Sequence, residues 1–134
     1  MVNVIGFDVG GVNTKAAYLE TAGTSVVELR TASEYFPVWR RSLDQLPVML
    51  GGLLEQLKGS SGLDGVGLTM TAELSDAYRT KREGVHHILD CMVQILNGIP
   101  GFVLDVDAEL RTVEAAKRDP LAVAAANWAA TGWM

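Results

Sequence analysis

Residues suited to binding phosphate are concentrated at the end of the first apolar segment of the chain. Asp8 interrupts the apolar run that begins at Val4. Because a carboxylate inside a buried strand is costly unless a cation, water or hydrogen-bond donors meet it, we expect Asp8 at the open end of that strand. Gly10 and Gly11 follow, and glycines permit positive φ and let a ligand approach the backbone closely. Further donors and one positive charge come from three consecutive residues: Asn13, Thr14 and Lys15. This combination predicts a turn that binds phosphate.

Short strands must position this turn. The segment Val4–Val9 has the nearly continuous apolar character of a buried strand, and Ala16–Leu19 is expected to return from the turn as a second strand. A third strand is expected over Ser25–Thr31. Three antiparallel strands therefore precede the first helix. The turn differs from a P-loop, which needs GxxxxGK[ST] ahead of a helix, and the chain contains no GxGxxG.

A second group of polar residues follows the fourth predicted strand, Leu63–Met70. Ligands of doubly wound sheets bind beyond the carboxyl ends of the strands, so this group is expected to face the first turn. Thr69 or Thr71, together with Glu73, would then bind substrate or take part in catalysis. The alternative is structural, because Thr71 would cap a helix whose positive end favours Glu73 and Asp76.

Helical periodicity predicts most of the remaining elements. Ser42 and Gln45 match a capping box at the start of the first helix, and Gly59–Gly62 would end it. The predicted helices are Ser42–Lys58, Gly84–Leu96, Thr112–Arg118 and Leu121–Trp133, and a fifth strand is predicted over Phe102–Val106. The fold class is therefore α/β, with a mixed five-stranded sheet and flanking helices.

Two other groups of residues allow both a structural and a functional interpretation. Tyr35–Trp39 is an aromatic segment followed by Arg40 and Arg41. It either plugs the edge of the core or forms a wall for an anionic or aromatic substrate. Asp105 and Asp107 are two residues apart on a strand, which suits a metal ion, although we prefer an ordinary turn.

Histidine and cysteine provide no obvious metal site. His86 and His87 are adjacent, so on a helix they point about 100° apart and cannot bind one ion together. Asp90 and Cys91 are expected at packing or surface positions. The single cysteine cannot form an internal disulfide and no CxxC motif occurs, which indicates a reducing compartment without structural zinc.

The composition excludes several classes of protein. The 134 residues suit one domain, and the 49% hydrophobic content supplies a core. The net charge of −5, with scattered basic residues, argues against nucleic acid as the main partner. No apolar segment reaches the roughly 18 residues that a membrane span needs. We therefore expect a cytoplasmic protein without a membrane partner.

Three segments carry a resemblance to a known family. The order of elements and the DxGG turn resemble the N-terminal lobe of the superfamily of sugar kinases, actin and heat-shock ATPases, which has a ribonuclease-H-like fold. More specifically, GFDVGGVNTKAAYLE, LTMTAELSDAYRTKREGV and DPLAVAAANWAAT resemble hydantoinase A/oxoprolinase-related proteins of the tetrahydromethanopterin-linked C1 transfer pathway. That family includes the enzyme of methanofuran biosynthesis that joins a furan-methylamine diphosphate to a tyramine phenol.

The resemblance implies a transferase that displaces diphosphate from a furfuryl carbon by a phenolic oxygen. Asp8 would organise Mg²⁺ through water, and Thr71, Glu73 or Asp76 would position the phenol or accept its proton. Phosphate oxygens would be bound by the turn, through Gly10, Gly11, Asn13, Thr14 and Lys15. The phosphorylated substrate is then a small molecule.

The sequence departs from the superfamily in one respect, since no second glycine-rich phosphate turn follows the first. We therefore expect one N-terminal lobe over residues 1–134, with the second lobe missing. A second lobe or a partner chain would complete the site, and self-association into a homo-oligomer is an open alternative. The alternatives are an ATP-dependent kinase or hydantoinase/oxoprolinase-like hydrolase, and a non-catalytic interaction domain that docks through Ala122–Ala129.

Overall fold

The computed structural model describes residues 1–59 and 62–133 as one sheet with helices. The strands are β1 (Val2–Val9), β2 (Asn13–Ala22), β3 (Ser25–Tyr35), β4 (Gly65–Met70), β5 (Gly101–Leu104) and β6 (Leu110–Thr112). The helices are α1 (Gln45–Lys58), α2 (Lys81–Leu96), α3 (Val113–Arg118) and α4 (Asn127–Trp133), and two 3-10 turns span Ala72–Leu74 and Pro120–Ala122.

The strand order is β3-β2-β1-β4-β5-β6. β1 pairs with β2 in antiparallel and with β4 in parallel orientation, and β5 continues the parallel part of the sheet. A mixed sheet that begins with three antiparallel strands, flanked by helices, is the ribonuclease-H-like arrangement, so the predicted fold class is confirmed. The sheet has six strands rather than five, because Leu110–Thr112 forms a short edge strand against β5.

The helices cover one face of the sheet more completely than the other. Ile5, Phe7 and Val9 of β1 are buried in the core beneath α1 and α2, on what we call the helix face. Because side chains alternate along a strand, Gly6 and Asp8 lie on the opposite face, which we call the outer face. A groove lies open on this outer face, and Ala130 of α4 is part of its lining.

Most of the predicted elements are present with shifted ends. α1 begins at Gln45, and its N-cap residue, Asp44, makes no side-chain capping bond, so the predicted capping box at Ser42 is wrong. The predicted stop of this helix is observed at Gly59, where φ is 66°, and Ser60 and Ser61 lie outside the described residues. α2 begins three residues earlier than predicted, with the Thr80 side chain accepting a hydrogen bond from the Glu83 amide.

The largest difference concerns the alanine-rich C-terminal segment. The predicted single helix Leu121–Trp133 is wrong, because the chain forms a 3-10 turn and then α4, which begins at Asn127. Ala125 lies between them with φ of 50°, a left-handed conformation that a helix cannot contain. Ala126 and Ala129 are buried by the chain itself, which argues against the docking surface expected there.

Candidate functional site

Three polar side chains form a row across the outer face at the carboxyl end of β1. Asp8 pairs with Lys15 of β2 on one side and with Thr69 of β4 on the other. Residues in register on neighbouring strands point to the same face, so the three side chains are neighbours. Asp8 is half-buried, and burial raises the pKa of its carboxyl above the ordinary value, while the charge of Lys15 opposes this shift.

Two oxygens of this row have no partner in the described part of the chain. They are the buried Oδ1 of Asp8 and the buried Oγ1 of Thr69. A buried carboxylate oxygen without a donor or cation costs free energy, and such atoms are uncommon in folded proteins. The pair therefore marks a position where a ligand cation or donor would be stabilised.

The turn after β1 is held closed by a short backbone contact. The Gly10 amide donates to the carbonyl oxygen of Asn13 at 3.0 Å. A Cβ atom at position 10 would lie 2.6 Å from that same oxygen, so only glycine fits there. Neither Gly10 nor Gly11 has a positive φ, so of the two properties of glycine considered above, close approach and not positive φ explains Gly10.

A buried loop supports the outside of this turn. The amides of Val38 and Phe36 donate to the carbonyl oxygens of Gly11 and Val12 at 3.0 and 2.8 Å, respectively. Phe36 and Val38 are buried, so the expectation that this segment plugs the edge of the core is correct for them. The amides of Gly11 and Val12 donate to no acceptor within residues 1–59 and 62–133. The turn therefore presents two free amides from a fixed backbone.

A pocket of about 300 Å³ connects this turn with the second polar group. Gly11 lines it from the turn, Thr71 and Asp76 line it from the segment after β4, and Trp39 forms part of its wall. The Thr71 amide donates to the Val9 carbonyl at 2.9 Å, which fixes the two segments side by side. Thr71 occupies the N-cap position of a 3-10 turn, but its side chain makes no capping bond. The hydroxyl is therefore not used in the way that the structural alternative assumed.

Glu73 has a different environment from Thr71 and Asp76. It is 2% exposed, and its Oε1 accepts a hydrogen bond from the Ala125 amide, while its Oε2 has no partner among the described residues. Burial raises the pKa of this carboxyl above its ordinary value. Gly84 of α2 packs so closely that a Cβ there would lie 2.7 Å from the Glu73 Cα. Glu73 therefore ties the segment after β4 to the start of the C-terminal segment.

The other predicted phosphate ligands are split between the two faces. Lys15 is exposed on the outer face beside Asp8, and Asn13 is exposed at the start of β2. Thr14 is fully buried on the helix face, and its hydroxyl has no partner in the described residues. Lys15 and Asn13 can therefore reach a ligand in solvent, whereas Thr14 cannot do so in this conformation.

The outer-face groove has a volume of about 1040 Å³ and is mostly apolar. Its polar lining residues are Asp8, Lys15, Thr31, Ser33 and Thr69. The apolar part of its lining includes Ala17, Leu19, Leu68, Leu104, Leu110 and Ala130. Asp8 thus faces this groove, while Gly11, three residues later, faces the smaller pocket with Trp39.

One polar network was not predicted from the sequence. The Tyr78 hydroxyl lies 2.8 Å from Nδ1 of His87, and the Cys91 Sγ lies 3.5 Å from Nε2 of the same ring. Burial raises the pKa of the Cys91 thiol to about 12 and lowers the pKa of His87. The thiol is therefore protonated and unreactive, in agreement with the expected packing role. The spacing of His87 and Cys91, four residues apart on α2, was the available signal.

Asp105 has the turn role that the sequence favoured. Its Oδ1 accepts hydrogen bonds from the amides of Asp107 and Glu109, and its Oδ2 lies 2.8 Å from Nε of Arg111. These interactions, the Arg111 bond first among them, hold the pKa of Asp105 below its usual value. Within the described residues, no group of three or more His, Cys, Asp or Glu side chains is arranged to hold a metal ion.

Helix length also bears on membranes. Each helix in residues 1–59 and 62–133 is too short or too polar to span a bilayer.

The strand order and the position of Asp8 at the carboxyl edge of the sheet define a lobe of the ribonuclease-H-like class. The chain is a homologue of a synthase from Methanocaldococcus jannaschii, (4-{4-[2-(gamma-L-glutamylamino)ethyl]phenoxymethyl}furan-2-yl)methanamine synthase, to which it is 37% identical over 130 residues. The alignment covers 97% of this chain and 36% of that protein, so the chain spans about a third of its relative's length. No family model matches the chain.

Among solved structures, Thermus thermophilus RuvC in complex with a Holliday junction substrate aligns with a TM-score of 0.45 and 14% identity, over 77% of this chain and 64% of that one. YeaZ from Pseudomonas aeruginosa aligns with a TM-score of 0.44 and 16% identity, over 90% of this chain and 50% of that one.

Proposed function

We propose that this chain is the phosphate-binding lobe of a transferase of methanofuran-type cofactor biosynthesis. The lobe would bind a furfuryl diphosphate so that the phenolic oxygen of a γ-glutamyl-tyramine compound can displace the diphosphate. The observation that carries the proposal is the unpartnered Oδ1 of Asp8 at the end of the strand that leads into a rigid turn with two free amides. The 37% identity to the synthase over nearly the whole chain supports the reaction class.

The relative's name describes a product in which a phenoxymethyl ether joins an aromatic ring to a furan. Forming that ether requires a bond between the phenolic oxygen and the furfuryl carbon. The bond from this carbon to the diphosphate oxygen breaks, its electron pair leaves with the diphosphate, and the phenol loses its proton to a base. The protein must therefore stabilise negative charge on the leaving group and receive a proton.

The residues at the end of β1 fit a Mg²⁺ ion held jointly with the substrate. Mg²⁺ is usually bound by one or two carboxylates together with water and substrate phosphates, and not by a cage of protein ligands. Asp8 supplies one half-buried carboxylate with a free oxygen, which meets this need. Such an ion neutralises charge on a departing diphosphate. Asp8 would hold it, through water or directly.

The diphosphate oxygens would be bound by the turn itself. The amides of Gly11 and Val12 are fixed donors, because the loop from Phe36 to Val38 already occupies the carbonyl oxygens of this turn. Lys15 adds a positive charge beside Asp8, and Asn13 adds a neutral donor. Fixed amides and a lysine aimed at one anion resemble the nests that bind phosphate in other folds.

The phenol would lie in the pocket that Thr71, Asp76 and Trp39 line. Asp76 is an exposed carboxylate at this pocket and is the candidate proton acceptor, and the Thr71 hydroxyl would position the phenol oxygen. Trp39 offers an aromatic face to the ring of the substrate. Glu73 is assigned a positioning role, because its Oε1 already binds the Ala125 amide.

Titration calorimetry of inorganic diphosphate into this chain, with and without Mg²⁺, tests the leaving-group site. We expect Mg²⁺-dependent binding that Asp8→Asn weakens by at least about tenfold, or about 1.4 kcal/mol. Asp44→Asn is the matched control, because Asp44 is exposed and makes no capping bond with its side chain. Equal diphosphate binding by the two variants, or diphosphate binding that is independent of Mg²⁺, would refute the assignment of Asp8.

Incubation of the protein with both organic substrates then tests the reaction itself, with the ether and free diphosphate measured by mass spectrometry. An ATP-dependent kinase would use Asp8 and the turn after β1 for the phosphates of a nucleotide. It would form ADP in the presence of a second substrate and would release no diphosphate, so one experiment separates the two functions.

A further inference from the structure

β3 forms one edge of the sheet that the described residues build. It is 11 residues long, and most of its side chains are exposed, including Leu29 at 61% and Tyr35 at 54%. A long edge strand with exposed apolar side chains is a template for pairing with another strand, and proteins usually protect such edges with charge, proline or cover. No proline lies within β3.

Only part of β3 is regular enough to pair. The register with β2 shifts between Glu20 and Thr21, so the strand carries a bulge at Val27. From Leu29 to Tyr35 the pairing with β2 is continuous. These seven residues form a regular edge, whereas the bulge makes the segment before them unsuitable for a new ladder.

We propose that two copies of this chain pair through antiparallel β3 edges centred on Ala32. In this register Arg30 lies opposite Glu34 of the second copy, and Leu29 lies opposite its Tyr35. The two-fold symmetry repeats each pair, so the interface has two opposite-charge pairs on the helix face and two apolar pairs on the outer face. Directly opposed pairs of both kinds stabilise a sheet.

Other registers of the same edge are less favourable. Centring the pair on Arg30 or on Glu34 places two like charges opposite each other. Centring it on Thr31 places Glu28 opposite Glu34. Like charges directly opposite each other destabilise a pair of strands. Centring the pair on Ser33 opposes no like charges, but it pairs only residues 31–35 and leaves Arg30 without an opposite charge, so Ala32 is the register that pairs all seven residues of the regular edge. The pattern is complementary to itself, which is the reason for choosing a second copy as the occupant instead of an unrelated peptide.

The space beside this edge also suits an added strand. A groove of about 490 Å³ lies between β3 and α1, and its lining includes Glu34, Tyr35, Val48 and Gly52. Val48 on α1 is 74% exposed. A second sheet joined at β3 would shield this exposed valine from water. The proposal does not depend on the proposed transferase function.

Exchange of the charges tests the register. Glu34→Arg places two arginines opposite each other across the interface, and Arg30→Glu places two glutamates there, so each variant alone should associate at least about tenfold more weakly than the natural chain. A mixture of the two variants restores both opposite-charge pairs. We therefore expect each variant to sediment as a monomer and the mixture to sediment as a dimer. Glu114→Arg, on α3 at the other side of the sheet, is the matched control and should dimerise normally.

A folding check and a cysteine variant distinguish the loss of the interface from misfolding. Arg30 also stacks on the Tyr18 ring, with its Cζ 4.2 Å from the ring centroid, so Arg30→Glu is checked by circular dichroism. Ala32→Cys places two thiols on the two-fold axis and should form a disulfide-linked dimer under mild oxidation, while Leu29→Cys should not. A monomeric natural chain at high concentration would overturn the proposal. So would a dimer that tolerates Glu34→Arg, or a link at position 29 instead of 32.

Discussion

Gly10 and Gly11 are adjacent in sequence, and the structure predicts opposite consequences for their replacement by alanine. At position 10 the new Cβ would lie 2.6 Å from the Asn13 carbonyl oxygen, which belongs to the backbone. The hairpin must therefore open, and the Gly10 amide loses its 3.0 Å hydrogen bond. At position 11 no atom lies within 4 Å of the new Cβ, and φ is not in the left-handed region.

The two effects at position 10 have the same sign. Overpacking costs typically about 1–3 kcal/mol, and a lost hydrogen bond costs about 1 kcal/mol. We expect Gly10→Ala to lower the free energy of unfolding by about 2–4 kcal/mol, which corresponds to a loss of roughly 6 °C or more in Tm for a domain of this size. Gly11→Ala should leave stability unchanged or raise it by up to about 1 kcal/mol, because alanine restricts the unfolded chain.

Ligand binding should follow a different pattern. The methyl group at position 11 would lie beside the free amides, so Gly11→Ala should weaken Mg²⁺-dependent diphosphate binding by about tenfold while the fold stays intact. Urea unfolding and titration calorimetry on both variants measure the two quantities separately. Stability losses of equal size in both variants would refute the close-approach argument. Undiminished binding by Gly11→Ala would refute the use of the turn amides.

Three further outcomes follow from the buried groups. Burial raises the pKa of the Asp8 carboxyl, so the contribution of Asp8 to the free energy of unfolding is fully present below pH 3.8 and is lost as pH rises through the shifted pKa. Asp8→Asn should therefore stabilise the chain at pH 7 and lose this advantage in acid. A constant difference between the two chains across a pH series of urea unfolding curves would contradict this. Glu73→Ala should destabilise the chain by about 2–4 kcal/mol in thermal unfolding. Glu73→Gln keeps an acceptor for the Ala125 amide and should retain most of that stability. Equal losses in the two variants would show that the hydrogen bond is unimportant. Cys91 should resist thiol reagents at pH 8 until the chain unfolds, because burial raises its pKa to about 12, and rapid labelling of the native chain would disprove this.

The sequence predicted the fold best where one local signal acted alone. The apolar run from Val4, the glycines after it and the helical stripe of α2 each specify an element without help from distant residues. The alanine-rich C-terminal segment was misjudged because alanine favours a helix locally, whereas Ala125, whose amide binds the distant Glu73, has a left-handed conformation that interrupts the helix. β6 was missed because its three residues are a strand only through pairing with β5.

The same distinction applies to the candidate site. Asp8 and Gly11 were recognisable because a buried carboxylate and a glycine turn carry their physical meaning in the sequence. The face of each side chain was harder to predict, since it depends on the register between strands. Register places Lys15 beside Asp8 on the outer face and turns Thr14 into the helix face. A row of three consecutive polar residues is therefore not a row of three ligands.

The end of β1 separates two chemically different spaces, and this bears on how the proposed reaction is arranged. Asp8 faces the large outer groove, and Gly11 faces the smaller pocket that Trp39 lines. A diphosphate bound at the turn would touch both, because the carboxylate and the free amides belong to residues three apart on one backbone. In the proposed reaction the phenol then requires only the pocket, while the apolar groove remains for the rest of the reacting molecules. Polar substitutions in the groove, such as Leu19→Gln, should leave diphosphate binding intact and reduce only ether formation. Substitutions at Trp39 should weaken the binding of a phenol to this chain directly.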